Sequence, residues 1–129
     1  MSRTETEKVV HAFNAAIVDH DPALLAGLVG ENCVMESVQP APDGSRYEGR
    51  AACLEFWEAL ANDRTTQFEA ERIDVGDGHA TILWRFHYGP GEADHVRGVN
   101  VMTVADGVIT EALGYSKTPA EQALPLPAN

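Results

Sequence analysis

Asn100, whose side chain is a carboxamide, lies between two valines in the segment VRGVNVMTV. The alternation of this run predicts a β-strand in which the Asn100 side chain points inward. A buried amide needs hydrogen-bond partners, which here could be a ligand, a water molecule or the hydroxyl of Ser37. An inward amide can also polarise a substrate oxygen, as the amides of oxyanion holes do. Asn100 is therefore a candidate for ligand contact or catalysis, and a structurally satisfied amide is the alternative.

Two carboxylates are candidates for a general base. Glu36 precedes Ser37 in a short β-prone run, and alternation points it outward unless a bulge reverses the register. Glu111 lies in the last predicted strand, from which a carboxylate could reach a cavity. Ser37 itself is a very poor base at neutral pH without a helper. The catalytic candidates are thus Asn100, Ser37, Glu36 and Glu111, and the sequence does not decide between them.

The histidines and cysteines indicate neither a metal site nor a cofactor. His79, His87 and His95 are eight residues apart, but strands joined by turns do not preserve a sequence period, and no acidic ligand cluster accompanies them. Their predicted faces are mostly outward, so we expect solvated histidines and no metal. Cys33 and Cys53 lie in apolar surroundings, where thiols pack as small buried hydrophobes, with a disulfide as the alternative. The sequence lacks a glycine-rich nucleotide loop, and we expect no cofactor.

Capping signals and helical spacing predict three N-terminal helices. A capping box of Ser2 with Glu5 begins the first helix, which runs through Asp19. An Asp-Pro pair begins a second, short helix that Gly30 ends. The third helix covers residues 50–61, after a loop rich in proline and glycine.

The hydrophobic pattern of the remaining chain has a period of two, which is typical of strands. The predicted strands cover residues 33–38, 68–75, 79–88, 95–104 and 108–116. Glycine-rich turns join the last four as antiparallel hairpins. Helices followed by hairpins are typical of an α+β domain with a strongly bent sheet, and such a cone often leaves an apolar pocket at its wide end. We expect one domain over residues 1–118 and an extended proline-rich tail over residues 119–129.

Composition limits the classes of partner. The chain has 129 residues, and its 20 acidic and 9 basic residues give a formal net charge of −11. Such an acidic surface repels phosphate backbones and anionic lipids, so nucleic acid and membrane are excluded as expected partners. No apolar stretch approaches the roughly 18 residues of a membrane helix. The first residues are too acidic and polar for a secretory signal, so we expect a cytoplasmic protein.

Three segments occur in a characteristic order: the helical stretch VVHAFNAAIVDHDPALLAGLV, the strand CVMES followed by PDGSRYEGRAACLEFW, and the hairpin VRGVNVMTVADGVITEALGYSK. This set resembles the SnoaL-like branch of the nuclear transport factor 2-like superfamily, which includes ketosteroid isomerase, limonene epoxide hydrolase and polyketide cyclases. The resemblance covers nearly all of residues 5–118. It implies a cone-shaped α+β barrel with a curved, mainly antiparallel sheet and three N-terminal helices. It implies no single activity, because the fold hosts enzymes, binding modules and interaction domains.

Ketosteroid isomerase offers the sharpest comparison, because its site uses a carboxylate base and an oxyanion hole of one tyrosine and one protonated aspartate. By position, the resemblance places that tyrosine at Phe13, the base aspartate at Ser37 and the proton-donating aspartate at Asn100. Phe13 cannot donate a hydrogen bond, whereas Asn100 still can. The changed groups argue against steroid isomerisation.

The resemblance and strand alternation together indicate an aromatic and thioether-lined pocket with few polar groups. The expected lining is Phe13, Met35, Ser37, Trp57, Ile82, Trp84, Phe86, Asn100 and Met102. Ordinary core packing of the same side chains is the alternative. Two functions therefore stay open: an isomerase, cyclase or hydrolase type of enzyme acting on a small apolar molecule, and a non-catalytic ligand-binding or dimeric interaction module.

The resemblance also implies a homodimer, since members of the superfamily dimerise through the outer face of the sheet. Leu83, Arg85 and Val99 alternate with the expected pocket residues and therefore face outward. We expect them in the contact between two copies.

Overall fold

The computed structural model describes residues 2–40 and 42–117, and the tail expected over residues 119–129 lies outside them. The first helix, α1, spans Arg3–Val18, and the hydroxyl oxygen of its N-cap Ser2 accepts a hydrogen bond from the Glu5 amide at 3.1 Å, as the capping box predicts. A second helix, α2, spans Arg50–Asn62. Within the described residues these are the two α-helices.

The prediction of the second helix is wrong. The chain forms a single 3-10 turn over Pro22–Leu24, and Val29 already belongs to a strand. Leu24 is exposed and Leu25 is fully buried, so the leucines that follow the Asp-Pro pair do not form one buried helix face. Leu25 instead anchors a short connection between α1 and the sheet.

The sheet has six strands, in the spatial order β2-β1-β6-β5-β4-β3. Their bounds are β1 Val29–Glu36, β2 Arg46–Glu48, β3 Gln67–Val75, β4 His79–His87, β5 His95–Ala105 and β6 Val108–Ser116. Strands β1 and β6 run parallel and the other neighbours antiparallel, so the curved sheet is mixed. Strand β2, three residues long, lies inside the segment predicted as a loop.

Both helices cover one face of the sheet, and the apolar core lies between them. Phe13 of α1, Trp57 of α2 and Ile82 of β4 are all buried there. Across the central strands Ile82 is the partner of Asn100, and Asn100 is the partner of Gly114. One row of residues on β4, β5 and β6 therefore faces the helices, and the alternate residues form the outer face. No helix in the described part of the chain is long and apolar enough to cross a membrane.

Candidate functional site

A small cavity lies between α1, α2 and the inner face of the sheet. Its volume is about 30 Å³, which is room for a very few water molecules. Its walls are Phe13, Asn14, Ile17, Trp57, Leu60, Phe68, Glu69, Ala70, Ile82, Trp84 and Asn100. The structure thus brings five of the predicted lining residues together: Phe13, Trp57, Ile82, Trp84 and Asn100.

Two aromatic pairs form the walls of this cavity. The rings of Phe13 and Trp57 meet edge to face, with centroids 4.9 Å apart and an interplanar angle of 74°. Phe68 and Trp84 repeat that arrangement at 5.3 Å and 77°. Edge-to-face pairs of this kind add to the free energy gained by burial of the rings and fix their orientation. The walls are therefore apolar and well ordered.

Asn100 supplies the polar group of the inner face. The indole nitrogen Nε1 of Trp84 donates a hydrogen bond to Oδ1 of Asn100 at 3.2 Å. An indole N–H can only donate, so this contact identifies the amide oxygen and fixes the direction of the amide nitrogen Nδ2. None of the described residues accepts a hydrogen bond from Nδ2, and this atom is not sealed from solvent or cavity. Asn100 thus carries a free donor.

Two glycines make room for this pair on the neighbouring strands. A Cβ atom at Gly98 would collide with the indole of Trp84, so the ring can lie over β5 only because residue 98 has no side chain. A Cβ at Gly114 of β6 would lie 3.3 Å from Oδ1 of Asn100, tighter than an ordinary contact. The absence of side chains at these two positions creates the space that Trp84 and Asn100 fill.

Asn14 is a polar wall residue that was not among the residues predicted from the sequence. It is half-buried on α1 beside Phe13, and within the described chain its amide takes part in no side-chain hydrogen bond. Asn14 precedes the cavity residue Ile17 by three positions, which is the spacing of one helix face. That spacing was the signal available in the sequence.

Three of the expected apolar lining residues lie outside the cavity wall. Met35 and Met102 are buried in the core, at 2% and 0% exposure. Phe86 packs on Phe68 with ring centroids 4.6 Å apart, and Phe68 takes the place at the wall. These side chains belong to the core or pack against it.

Ser37 and Glu36 do not line the cavity. Strand β1 ends at Glu36, so the alternation that placed Ser37 inward stops one residue too early. The Ser37 hydroxyl donates to the Gln39 carbonyl at 2.9 Å and accepts from the Ser45 amide at 3.2 Å. Glu36 forms an ion pair with Arg46 of β2, at 3.2 Å between carboxylate and guanidinium. Both groups serve the hairpin between β1 and β2.

The two other carboxylates considered near the cavity, Glu111 and Glu69, are both exposed. Glu111 is exposed, opposite Thr103 of β5. Glu69 belongs to the cavity rim, but its side chain is more than half exposed and Oε1 lies 3.3 Å from Nε2 of His87. Within the described residues, no carboxylate is directed into the cavity interior as a base.

His87 and His95 are brought together, which their spacing in the sequence did not predict. They are direct partners on β4 and β5, with ring centroids 5.9 Å apart, and both are half-buried. His79 is exposed at the other end of β4. Among residues 2–40 and 42–117 no group of three or more His, Cys, Asp or Glu side chains is arranged to hold a metal ion.

The two cysteines are buried, free thiols, as the sequence predicts. Desolvation by burial raises the pKa of Cys33 to about 12, and neighbouring Cys53 adds to the increase. Burial raises the pKa of Cys53 as well. Neither thiol forms appreciable thiolate at neutral pH, so their role is packing.

The outer face of the sheet carries a groove of about 270 Å³ among Leu83, Val99 and Tyr115, with charged side chains around it. Glu71 accepts two hydrogen bonds from Arg97, at 2.6 and 2.9 Å, and a third from Arg85 at 3.2 Å. These bonds, those from Arg97 foremost, hold the pKa of the Glu71 carboxyl below its ordinary value. We name this surface the outer-face groove.

Comparisons with known proteins agree with this architecture. The family model of the SnoaL-like domain matches residues 10–112. The crystal structure of an NTF2-like protein of unknown function from Mesorhizobium loti is 43% identical, with a TM-score of 0.83, over 89% of this chain and 93% of that chain. No protein with a curated description matches the sequence.

Two further crystal structures are similar in fold. An LEH-like epoxide hydrolase of M. tuberculosis is 23% identical, with a TM-score of 0.67, over 88% of this chain and 84% of its own. An epoxide hydrolase/cyclase-like enzyme with a role in pyran ring formation in the polyether salinomycin is 15% identical, with a TM-score of 0.70, over 88% of this chain and 92% of its own. At these identities the likeness concerns the fold alone.

Proposed function

The chain belongs to the SnoaL-like domain family, and from that premise we propose that it binds a small apolar molecule carrying a hydrogen-bond acceptor oxygen. The ligand occupies the space between the helices and the inner face of the sheet. The proposed role is binding and orientation of this molecule, without a carboxylate base.

The free donor of Asn100 is the observation that carries this proposal. Trp84 occupies the amide oxygen, so the amide offers the ligand N–H and not an acceptor. Asn100 is half-buried and lines the cavity, where a hydrogen bond is shielded from water. A carbonyl, ether or epoxide oxygen is the complementary group. The enzyme names of two fold relatives, an epoxide hydrolase and a hydrolase/cyclase-like enzyme, favour oxygen-bearing ligands of this type.

The small volume of the cavity sets a further requirement. At about 30 Å³ it is far below the several hundred Å³ of drug-sized sites. Binding therefore needs a conformation in which the walls from α1, α2 and β3 lie farther apart, and the ligand selects that conformation. The apolar walls provide the driving force when they close on an apolar molecule.

The positions of the other candidate groups favour binding over acid–base catalysis. Ser37 and Glu36 are held by the β1–β2 hairpin, and Glu111 is exposed. A general base must come within hydrogen-bond reach of the proton that it removes, and none of these groups lies at the cavity wall. Steroid isomerisation of the ketosteroid isomerase type is therefore not proposed.

A matched pair of probes tests the proposal. Cyclohexene oxide and cyclohexene have similar shapes, and only the epoxide has an acceptor oxygen. We expect the wild-type protein to bind the epoxide about fivefold more tightly in an NMR titration, the worth of one hydrogen bond. Asn100→Ala should abolish this difference, whereas Asn32→Ala, at an exposed strand position, should retain it. Equal affinities in the wild type would contradict the proposal.

A second proposed function is dimerisation through the outer face of the sheet. Tyr115 and Val101 are 56% and 40% exposed there, beside the half-buried Leu83 and Val99. Large apolar side chains clustered on one sheet face favour a protein partner, and a second copy supplies the same surface by symmetry. Light scattering should give twice the chain mass for the wild type and the chain mass for Val99→Glu. A monomeric wild type would overturn this assignment.

A further inference from the structure

His20 lies where α1, α2 and β3 meet, and both of its ring nitrogens make hydrogen bonds. Nδ1 is 2.9 Å from the carbonyl oxygen of Ala61, near the end of α2. Nε2 is 2.8 Å from Oε1 of Gln67, the first residue of β3. One imidazole ring thus joins three elements of the fold.

The partners of His20 determine its protonation. The amide nitrogen of Gln67 donates to the carbonyls of Val18 and Phe68, at 2.9 and 2.8 Å, so the atom that faces His20 must be the amide oxygen. Ala61 also presents a carbonyl oxygen. Both partners can only accept, and a neutral imidazole has one N–H. Both hydrogen bonds exist together only when His20 is an imidazolium.

The backbone at His20 indicates that the side chain has a role. His20 has φ of 55° and follows the C-cap of α1, at the position where helices usually place glycine. The amide of Asp21 closes this helix end with a hydrogen bond to the Ala16 carbonyl at 2.9 Å. A histidine in this left-handed conformation is strained relative to glycine, and the conformation directs its ring toward α2 and β3.

Helix carbonyl ends and carboxylates surround His20. The carbonyl ends of both helices converge on it, and Asp19 and Asp21 flank it in the chain. Asp63, the C-cap of α2, is also close. Hydrogen bonds from Thr65 hold the pKa of the Asp63 carboxyl below its ordinary value, and the charge of His20 contributes in the same direction.

Three other charged or titratable groups lie near this site. Arg64, next to Asp63, is exposed and brings the opposite charge to the end of α2. His87 on β4 is the strand partner of Gln67. Glu69, farther along β3, is directed to His87. His87 is therefore the second histidine whose contribution must be separated from that of His20.

We propose that protonated His20 is a clasp that holds the mouth of the cavity closed, and that the clasp opens as the pH rises. The two partners of His20 adjoin cavity walls: Ala61 follows Leu60, and Gln67 precedes Phe68. Gln67 in turn donates to the carbonyl of Val18, which follows the wall residue Ile17. When His20 is neutral, one nitrogen lone pair faces an oxygen at 2.8 or 2.9 Å and that link is lost. The clasp's stabilisation is present at acidic pH and disappears as the imidazole loses its proton. The regulatory meaning of the clasp rests on the proposed binding function.

The two tryptophans report on the clasp without any ligand. Trp57 and Trp84 are the only tryptophans of the chain, and both line the cavity. Quenching of their fluorescence by acrylamide should increase about twofold from about pH 5.5 to about pH 8.5, because the mouth opens when His20 loses its proton. A quenching constant that does not change with pH would overturn the proposal.

Three variants assign the effect to His20. Asparagine tolerates the left-handed conformation, so His20→Asn preserves the backbone at this position. The acrylamide quenching of the tryptophans in this variant should be high at every pH, because the imidazole is absent. Gln67→Met removes one acceptor, so a neutral His20 is satisfied by Ala61 alone and the pH dependence should disappear. His87→Gln should retain the pH dependence of the wild type, and its loss there would assign the effect to His87 and contradict the clasp.

Direct detection of the His20 ring protons by NMR complements the variants. A ¹⁵N NMR spectrum of the wild type should show protons on both ring nitrogens of His20 in the closed state, and a single N–H there would contradict the proposal. Neither experiment uses a ligand. Failure of the epoxide titration with an intact pH effect would therefore reject the binding function and leave the clasp, and the reverse result would reject the clasp alone.

Discussion

The inner and outer faces of strands β3, β4 and β5 use their polar groups in opposite ways. On the inner face Trp84 and Asn100 form one hydrogen bond among apolar walls. On the outer face Glu71 joins Arg85 and Arg97 in an exposed ion-pair network. Shielding from water strengthens a hydrogen bond and makes an unsatisfied partner costly, whereas water and salt screen an exposed ion pair. The inner face should therefore dominate both stability and recognition.

The largest difference between the faces should come from removal of a large side chain. Trp57→Ala should lower the free energy of unfolding by about 4 kcal/mol, because it leaves a void beside Phe13 that the core cannot fill. Leu83→Ala, on the half-buried outer face, should cost roughly a quarter of that. Urea denaturation of both variants in the Val99→Glu background, where no second copy covers Leu83, measures the difference. Equal losses would show that the faces do not differ as described.

A methyl group added to the inner face should have the next largest effect. Gly98→Ala places a Cβ against the Trp84 indole and the Tyr115 carbonyl, and it should destabilise the protein by about 2 kcal/mol through overpacking. Gly107→Ala is not a suitable control, because that glycine has a positive φ of 79°. Gly27→Ala, where nothing lies within 4 Å of the added carbon, is the matched control and should be nearly neutral. A neutral Gly98→Ala would mean that Trp84 does not lie over β5.

The smallest effect should come from the outer ion pairs. Since Arg97 lowers the pKa of Glu71, the network contributes stability above the ordinary titration range of glutamate and loses it as the pH falls through the lowered value. Glu71→Gln should therefore slightly lower the stability of the protein at neutral pH. This loss of stability should disappear in acid and in high salt. Melting temperatures of Glu71→Gln at two salt concentrations, in the Val99→Glu background where no second copy covers this face, check this. A loss that persists in high salt would contradict the assignment of the network to the exposed surface.

The strand alternation of the sequence correctly placed the inner row, because a period of two assigns faces without knowledge of the fold. Ile82, Trp84 and Asn100 were identified in this way. The same reasoning misplaced Ser37, since alternation carries no information beyond the end of a strand, here Glu36. The missed strand β2 has three residues, too few for a periodic signal.

The size and the polarity of the cavity could not be predicted from the pattern. The volume depends on how closely Trp84 approaches Gly98, which is a matter of tertiary packing. The direction of the Asn100 amide depends on the indole N–H that reaches it from β4. The pairing of His20 with Ala61 and Gln67 joins residues more than 40 positions apart, beyond the reach of local spacing.

The most direct test of the central claim is a crystal structure of the protein soaked with cyclohexene oxide. We expect the epoxide between α1, α2 and the sheet, with its oxygen about 3 Å from Nδ2 of Asn100 and the Trp84 to Asn100 hydrogen bond intact. An epoxide bound in the outer-face groove, or bound inside with its oxygen directed away from Asn100, would contradict it.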